Sequence, residues 1–463
     1  MMESNTQKAI AYSHENIQKF IDSLIDFLKI KSISSDPQYK GDVRKGAEWL
    51  SSYMKNLGVQ DIRILETGQN PIVYGSLMQA GNDKPTILIY GHYDVQPPDP
   101  LDEWDKAPFD PVVKDGLLYA RGSSDMKGQA MVSLAAIESI MAFDKLPVNL
   151  KFLFEGDEEV GSPAIVPFLT EHKDLFKSDF VLNLDAGMIA QDKPTIVYGL
   201  RGLAYFEISV TGPAYDLHSG LFGGVVYNPI HALSELIAGM KNNDGKIQLP
   251  GFYDDVLPLE KKEREALNAL DNPDQYYIDQ TGVKAVFGEK GFSNVERLGA
   301  RPTLDVNGIW GGYTGEGPKT VIPSKAHAKL SMRLVPNQTP VKVKQQLIQY
   351  LETHAPKEVN WEVKQLASDP ACITDMDYYA TRCFADSLEE VMGKKPVFKR
   401  EGGSIPISTH FQNILGCDSV MSGFSLPEDH IHSPNERFNL ELFEKGIEVV
   451  IDYFYRLAQE CGE

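Results

Sequence analysis

The apolar residues of the N-terminal segment recur every three or four positions, which is the spacing of one face of an α-helix. These residues are Ile10, Ile17, Phe20, Ile21, Leu24, Phe27 and Leu28. The pattern predicts one amphipathic helix over residues 6–28.

Short apolar runs follow this helix and alternate with helical patterns. Strands are predicted over 86–90, 150–154 and 180–184, and a helix is predicted over 126–143 between the first two strands. Continuous apolar runs of strand length, separated by helices, are typical of a mostly parallel sheet that is covered by helices. We therefore predict an α/β domain.

The pattern changes after residue 202. Polar and apolar residues alternate over 205–210 and 326–334, which predicts half-exposed strands of an antiparallel sheet. Thr339 and Pro340 predict the start of a helix that ends near residue 351. The segment 251–317 is polar and rich in Gly, Pro and Asp, so it is predicted to form loops with short helices.

Long helical patterns return after Thr374 and end with residues 440–457. A smaller α+β domain, 203–373, is therefore predicted to be inserted into a larger α/β domain. The larger domain would consist of residues 1–202 and 374–463. A chain of 463 residues is also longer than one hydrophobic core usually supports.

Composition narrows the class of partner and the compartment. The formal net charge of −20 argues against binding to nucleic acid or to anionic membranes. No apolar run approaches the roughly 20 residues of a membrane span, and the N-terminus lacks the features of a signal peptide. The four cysteines are dispersed, which indicates reduced thiols and a cytoplasmic protein; they are Cys372, Cys383, Cys417 and Cys461.

The first group of chemically interesting residues follows the strand predicted over 86–90. His92 and Asp94 lie directly beyond it. A histidine can bind a metal ion while the aspartate two positions later orients its other ring nitrogen. A structural turn with a hydrogen-bonded histidine is the alternative.

Further acidic residues follow the next predicted elements. Asp125 precedes a helix and could be a metal ligand or an N-cap. Asp157, Glu158 and Glu159 are consecutive, and their mutual repulsion would be relieved by a bound cation or by exposure to solvent. Asp185 follows a predicted strand.

His432 completes the set, because it lies shortly before the final helix. In open α/β sheets, sites form beyond the carboxyl ends of the strands. Two imidazoles and three carboxylates there suit zinc or manganese. One carboxylate can bridge two metal ions, which leaves an acid to act as general base. The residue types alone do not show which residues bind each metal ion, which carboxylate bridges the two ions and which acid is the general base.

Eight sequence strings occur in the same order as in a known family. They are GHYDVQPP, LYARGSSDMKG, EGDEEVGS, NLDAG, DLHSG, GPKTVIPSKA, EGGSIP and IHSPNE, between residues 91 and 436. On these strings the chain resembles the carnosinase-like dipeptidases of the two-metal aminoacylase/carboxypeptidase superfamily. The resemblance implies a catalytic α/β domain with two metal ions and an inserted lid domain that also forms a homodimer.

The resemblance also implies a role for each metal ligand. His92 and Asp185 would bind one ion, Glu159 and His432 would bind the other, and Asp125 would bridge both. The peptide bond that follows the bridging aspartate would be cis.

The catalytic residues implied by the resemblance are Glu158 and Asp94. Glu158 would be the general base that takes a proton from the attacking water and returns it to the leaving amine. Asp94 would orient His92. From the lid of the other subunit, His218 would polarise the scissile carbonyl, with Thr320 beside it.

The carboxylate of the substrate also has predicted partners. Arg333 could hold it by a bidentate ion pair, and Gly403 and Ser404 could donate backbone N–H groups and a hydroxyl to it. The alternatives are a surface arginine and an ordinary glycine-rich turn.

We therefore predict a cytoplasmic, homodimeric hydrolase that cleaves dipeptides or short peptides with two divalent metal ions. Zinc is favoured, and manganese or cobalt stays open. A carboxypeptidase or an N-acyl-amino-acid deacylase would share the metal ligands, and a non-catalytic metal-binding scaffold is an alternative of another class. Residues 368–373 contain no histidine where some relatives have one, so β-Ala-His is not assigned as the substrate.

Overall fold

The structure is a computed structural model, and it describes residues 4–270, 272–403 and 406–460. Its α-helices are α1 (Asn5–Glu15), α2 (Ile17–Leu28), α3 (Lys40–Asn56), α4 (Lys127–Met141), α5 (Ile165–Glu171), α6 (Lys173–Phe176), α7 (Ser219–Phe222), α8 (Pro229–Gly239), α9 (Lys261–Asn268), α10 (Asp274–Thr281), α11 (Asn294–Gly299), α12 (Pro340–His354), α13 (Tyr379–Met392), α14 (Pro406–His410) and α15 (Leu440–Glu460).

The β-strands follow the same chain order. They are β1 (Gln60–Leu65), β2 (Ile72–Leu77), β3 (Thr86–His92), β4 (Val112–Lys114), β5 (Leu117–Tyr119), β6 (Asn149–Glu155), β7 (Phe180–Asn183), β8 (Thr195–Leu200), β9 (Gly202–Thr211), β10 (Leu217–His218), β11 (Thr303–Gly311), β12 (Val321–Ile322), β13 (Lys325–Leu334), β14 (Asn360–Asp369), β15 (Cys372–Ile373), β16 (Val397–Glu401), β17 (Ser419–Met421) and β18 (Arg437–Asn439).

The chain divides into two compact units. Unit 1 comprises Met1–Tyr198, Thr374–Phe398 and Ile407–Glu463, and unit 2 comprises Gly199–Ile373 and Lys399–Pro406. The segment Lys399–Pro406 thus clusters with unit 2, whereas the sequence pattern assigned it to the larger domain together with the rest of 374–463. None of the helices in the described ranges combines the length and the apolar character that a bilayer crossing requires.

The sheet of unit 1 is mixed, with parallel strands at its centre. Its strand order is β1-β2-β6-β3-β7-β17-β8. Strands β6, β3, β7 and β17 run parallel to one another, and β1, β2 and β8 pair antiparallel to their neighbours. The predicted α/β class with a mainly parallel, helix-covered sheet is confirmed.

Helix α4 lies at the centre of the helical layer of unit 1 and contacts α1, α15 and β3. Residues on every side of it are buried, which is typical of a helix enclosed by other elements. The single helix predicted over residues 6–28 is wrong. It is interrupted at Asn16, whose backbone is not helical and whose side-chain amide donates to the carbonyl oxygen of Tyr12, so it ends α1.

Unit 2 is built on an antiparallel sheet with the strand order β11-β13-β9-β14. Alternate residues of β9 and β13 are buried, as the sequence pattern predicts. These side chains form one core with α8 and α12, which contribute Leu233, Leu236, Leu347 and Leu351.

The prediction of loops and short helices over 251–317 is wrong for one stretch, because β11 is a nine-residue strand. It pairs only with β13 in its sheet, and most of its residues after Leu304 are exposed. An edge strand of this kind lacks the apolar alternation from which a strand is predicted. A register irregularity near Gly308 interrupts the pattern further.

Candidate metal centre

The chemically interesting side chains of unit 1 follow parallel strands that end at one edge of the sheet. His92 is the last residue of β3, and Glu155 is the last residue of β6. Asp185 comes two residues after the end of β7. Because these three strands are parallel neighbours, their carboxyl ends bring the following loops together.

One group of potential metal ligands consists of His92, Asp125 and Asp185. The Nε2 atom of His92 lies 3.0 Å from Oδ1 of Asp125 and 3.8 Å from Oδ1 of Asp185. His92 is fully buried. One nitrogen and two carboxylates therefore point toward a common centre.

A second group consists of Asp125, Glu159 and His432. The Nε2 atom of His432 lies 2.9 Å from Oδ2 of Asp125 and 3.2 Å from Oε2 of Glu159. Asp125 belongs to both groups and offers a different oxygen to each histidine, which is the arrangement that a bridging carboxylate needs. The Asp125–Met126 peptide bond is cis, as the resemblance implies.

Asp94 connects His92 to the acidic loop. Its carboxylate lies 3.5 Å from Nδ1 of His92 and accepts hydrogen bonds from the backbone N–H groups of Glu158 and Glu159. Nδ1 of His92 also lies 3.1 Å from the carbonyl oxygen of Asp94. These contacts fix the ring so that Nε2 faces the acids.

The electrostatics of the cluster favour a bound cation. Burial, together with the carboxylates of Asp185, Glu159 and Asp125, raises the pKa of Glu158 to about 9 against the opposing effect of His92. Burial also raises the pKa values of Glu159 and Asp185. So many buried carboxylates cannot all be ionised without positive charge among them.

The nearby carboxylates also raise the pKa values of the two histidines. Hydrogen bonds to Asp125 and Glu159 raise the pKa of His432 to about 10. Burial lowers the pKa of His92, but Asp185 and the other nearby acids outweigh burial and raise it well above its usual value. Each group offers three protein ligands of nitrogen and oxygen type, which fits a catalytic metal ion with an open coordination position.

Two residues near this centre were not assigned a part from the sequence. The Oε1 and Oε2 atoms of Glu436 accept hydrogen bonds from the backbone N–H groups of Gly122, Ser124 and Asp125. Gln96 donates a side-chain hydrogen bond to Oε2 of Glu159. Both lie in the strings GHYDVQPP and IHSPNE, which was the signal available in the sequence.

The remaining predicted residues belong to unit 2. Arg333 lies on β13, and Gly403 is exposed. His218 and Thr320 are neighbours, because β10 pairs with β12 and the N–H group of Ser219 donates to the carbonyl oxygen of Thr320. Ser404 lies outside the described residues.

Comparison with known proteins gives a consistent set of relatives. The profile of "Peptidase family M20/M25/M40" matches residues 88–456. Cys-Gly metallodipeptidase DUG1 of Candida albicans is 34% identical over 460 residues, which cover 94% of this chain and 94% of that protein. Beta-Ala-His dipeptidase of Homo sapiens is 31% identical over 474 residues, which cover 98% of this chain and 93% of that protein.

A solved structure extends the similarity to the whole fold. The crystal structure of the M20 family metallo-carboxypeptidase Sso-CP2 from Sulfolobus solfataricus matches with a TM-score of 0.81 and 33% sequence identity. The match covers 95% of this chain and 99% of that one.

Proposed function

The chain belongs to peptidase family M20/M25/M40, and we propose that it is a two-metal dipeptidase that hydrolyses the peptide bond of dipeptides or very short peptides. The observation that carries the proposal is the pair of ligand groups that share Asp125, beside the half-buried Glu158. Two similar proteins are themselves named dipeptidases, which supports the class of substrate.

In this proposal His92 and Asp185 would hold one divalent ion, Glu159 and His432 would hold the other, and Asp125 would serve both. The mixture of imidazole and carboxylate ligands supports zinc, and manganese also suits it. When bound, such ions polarise a carbonyl group and lower the pKa of water.

Glu158 is the proposed general base. It takes a proton from the attacking water and delivers that proton to the leaving amine. Its environment suits this part, because burial raises the pKa of its carboxyl group whereas two neighbouring divalent ions would lower it again, so the group could both accept and release a proton. Asp94 keeps the ring of His92 oriented throughout.

Arg333 is proposed to bind the terminal carboxylate of the substrate, together with Gly403 and Ser404. A guanidinium group binds a carboxylate through two parallel hydrogen bonds, so it fixes orientation as well as charge. The proposal therefore favours substrates with a free C-terminus.

His218 is proposed to stabilise the developing oxyanion from the other subunit of a homodimer, with Thr320 beside it. The Nδ1 atom of His218 accepts a hydrogen bond from the backbone N–H of Gly220. The neutral ring therefore carries its proton on Nε2, which can donate it to an oxygen. The side chain is exposed.

A homodimer is supported by the edge of the sheet in unit 2. Strand β11 exposes three large apolar side chains, Val306, Ile309 and Trp310. Exposed apolar edge strands tend to pair with another chain. We include a homodimer in the proposal for this reason.

A cytoplasmic location is part of the same proposal. Cys372, Cys383 and Cys417 are buried thiols. Reduced thiols suit a compartment in which disulfide bonds are rare.

A carboxypeptidase is the second candidate, because the structure that matches with a TM-score of 0.81 is named as one. A panel of dipeptides, longer peptides and N-acetyl amino acids separates the two. We expect the dipeptides to give the highest kcat/KM. A higher kcat/KM for longer peptides would favour the carboxypeptidase, and preference for N-acetyl amino acids would contradict both.

Substitution of the general base tests the mechanism. We expect Glu158→Gln to lower kcat by about 10²–10⁴-fold, because proton transfer by a positioned side chain contributes that much. Metal content, measured by elemental analysis, should stay near that of the wild type. Glu171→Gln makes the same change at an exposed position of α5 and should leave kcat unchanged. Near-normal activity of Glu158→Gln would show that Glu158 is not the general base.

A further inference from the structure

Unit 2 contains a cavity of about 460 Å³ that no step above uses. Its size is within the range of small-molecule sites, which is roughly 300–1,000 Å³. Its lining includes Arg201 and the apolar side chains of Val283, Phe287 and Leu298.

Arg201 is a buried cation without a carboxylate partner among the described residues. Its side chain and backbone together are only 7% exposed. Nε donates to the carbonyl oxygen of Gly402 at 2.9 Å, and Nη1 approaches the carbonyl oxygen of Arg301 at 3.5 Å. Of its five N–H groups, those on Nη2 and one on Nη1 therefore have no protein acceptor in the described ranges.

Of the other arginines of the cavity, Arg301 is paired with a carboxylate and Arg297 is only half-buried. Arg301 forms two hydrogen bonds of 2.8 Å with the carboxylate of Glu289. Arg297 donates to the carbonyl oxygen of Glu289 and to the side chain of Asn294. Arg201 is therefore the guanidinium group that most needs an anion, because a buried charge is costly unless it is paired.

The electrostatics around Arg201 agree with this geometry. Burial and the positive charge of Arg333 lower the pKa of Arg201 to about 10, against the opposing effect of the carboxylates of Asp305 and Glu401. Arg333 lies directly opposite Thr303 in the pairing of β13 with β11, and Thr303 lines the cavity. Asp305 also lines the cavity, but its carboxylate pairs with Lys241 at 3.8 Å. An anion bound at Arg201 would be stabilised by the positive charge of this guanidinium group.

Three apolar side chains that line the cavity are open to solvent. Phe287 is 72% exposed, and Val283 and Leu298 are nearly half exposed. Large apolar side chains that line an open cavity are characteristic of a surface that an apolar group covers. The cavity therefore combines one unpaired guanidinium group with an uncovered apolar wall.

From these observations we infer that the cavity binds a carboxylate that carries a bulky apolar side chain, with the carboxylate on Arg201 and the side chain against Phe287. The occupant that we propose is a free amino acid, because the terminal carboxylate of the peptide substrate is assigned above to Arg333. This inference therefore does not depend on the proposed function.

Calorimetric titration of the full-length protein with 4-methylpentanoate tests the site directly. This probe has a carboxylate and the side-chain shape of leucine. We expect it to bind at least about tenfold more tightly than acetate or 4-methylpentan-1-ol, since each of these lacks one of the two groups that the cavity recognises.

Two variants locate the binding. Arg201→Gln removes the guanidinium group and should weaken binding of 4-methylpentanoate about tenfold or more. Phe287→Ser removes the exposed ring without touching the buried charge, so it keeps the test decisive if Arg201→Gln does not fold. Arg63→Gln and Phe143→Ser make the same changes at exposed positions of unit 1 and should leave binding unchanged. Equal binding by all four variants would overturn the inference.

Kinetics test whether the peptide substrate uses the cavity. Because the substrate carboxylate is assigned to Arg333, Phe287→Ser should leave the ratio of kcat/KM for Ala-Leu to that for Ala-Gly unchanged, and a tenfold lower ratio would overturn the assignment to a free amino acid. An unchanged ratio together with weakened binding of 4-methylpentanoate assigns the cavity to free amino acids. Failure to hydrolyse any dipeptide would contradict the proposed function but leave the calorimetric test intact.

Discussion

At the scale of single residues, Asp125 differs from the other acids because both ligand groups use it. Its two oxygens lie 3.0 Å and 2.9 Å from Nε2 of His92 and of His432. An asparagine at this position would offer one oxygen instead of two. We therefore expect Asp125→Asn to lower the metal content from about two ions per chain to less than about one, as measured by elemental analysis after dialysis.

His432 belongs to only one of the two ligand groups, so its replacement should lower the metal content less than replacement of Asp125 does. We expect His432→Ala to retain about one ion per chain, because His92, Asp125 and Asp185 remain in place. Asp115→Asn makes the same change as Asp125→Asn at an exposed position and serves as the control. Two ions in Asp125→Asn, or none in His432→Ala, would contradict the shared-ligand arrangement.

The sequence indicated some of these residues for a physical reason and could not indicate others. His92 and Asp185 follow apolar runs, and a strand end of a parallel sheet is where chemistry is expected. Glu436 gives no such signal, because a buried carboxylate and a surface carboxylate read alike in a sequence. Its part depends on donors more than 300 positions away, such as the N–H group of Gly122 at a separation of 314 residues.

At the scale of elements, the carboxylate of Glu436 fixes the loop before α4. Glu436 accepts hydrogen bonds from three backbone N–H groups of the loop and from Nη1 of Arg121 at 2.7 Å. Both Arg121 and Glu436 are about 1% exposed. The loop carries Asp125, so Glu436 fixes the backbone from which the bridging side chain extends.

We expect Glu436→Gln to lower the free energy of unfolding by about 3–5 kcal/mol, because it leaves Arg121 buried without its counter-charge. Glutamine also has an NH2 group in place of one acceptor oxygen of glutamate, so at least one backbone N–H group of the loop loses its hydrogen-bond partner. Metal affinity should fall roughly 10–100-fold, as it does when a residue that orients a ligand is lost. Denaturant unfolding and competition with a chelator measure the two effects.

Glu441→Gln is the matched control for this substitution. Glu441 is mostly exposed and pairs with Lys445 one helical turn away. Such pairs contribute about 0.3–0.5 kcal/mol, so the control should unfold almost as the wild type does. Equal stabilities of the two variants would show that the buried pair does not hold the loop.

Helices and strands whose apolar residues recur at regular spacing could be predicted from the sequence, and elements without such spacing could not. Strand β13 alternates buried and half-exposed residues along its whole length, and α12 begins at Pro340 after the capping side chain of Thr339. The interruption at Asn16 and the edge strand β11 depend on local hydrogen bonds and on exposure. Neither changes the apolar period of the sequence.

At the scale of the whole molecule, one segment shows why distant contacts limit prediction. Lys399–Pro406 clusters with unit 2. Within that unit Arg400 pairs with Glu263, and the carbonyl oxygen of Gly402 accepts a hydrogen bond from Arg201. These partners are separated by 137 and 201 positions, so the assignment follows from the folded chain and not from any local pattern.

The proposed homodimer makes a prediction about mixed subunits. His218 is proposed to serve the site of the other subunit, whereas Glu158 serves its own. His218→Ala and Glu158→Gln should therefore each be nearly inactive alone. In a mixed dimer, however, the site with an intact Glu158 receives an intact His218. After complete exchange of equal amounts, half of the dimers are mixed and one of their two sites works, so we expect about a quarter of the wild-type activity.

The control mixture combines Glu158→Gln with Asp125→Asn, because both defects lie in a subunit's own site and mixing cannot repair either. Activity in this mixture should stay at the level of the separate variants, while mass-tagged subunits report that exchange has occurred. Regained activity in the first mixture but not in the control requires that His218 acts across the interface, since metal loss and base loss are never complemented. Full exchange without regained activity would confine His218 to its own subunit or remove it from the reaction.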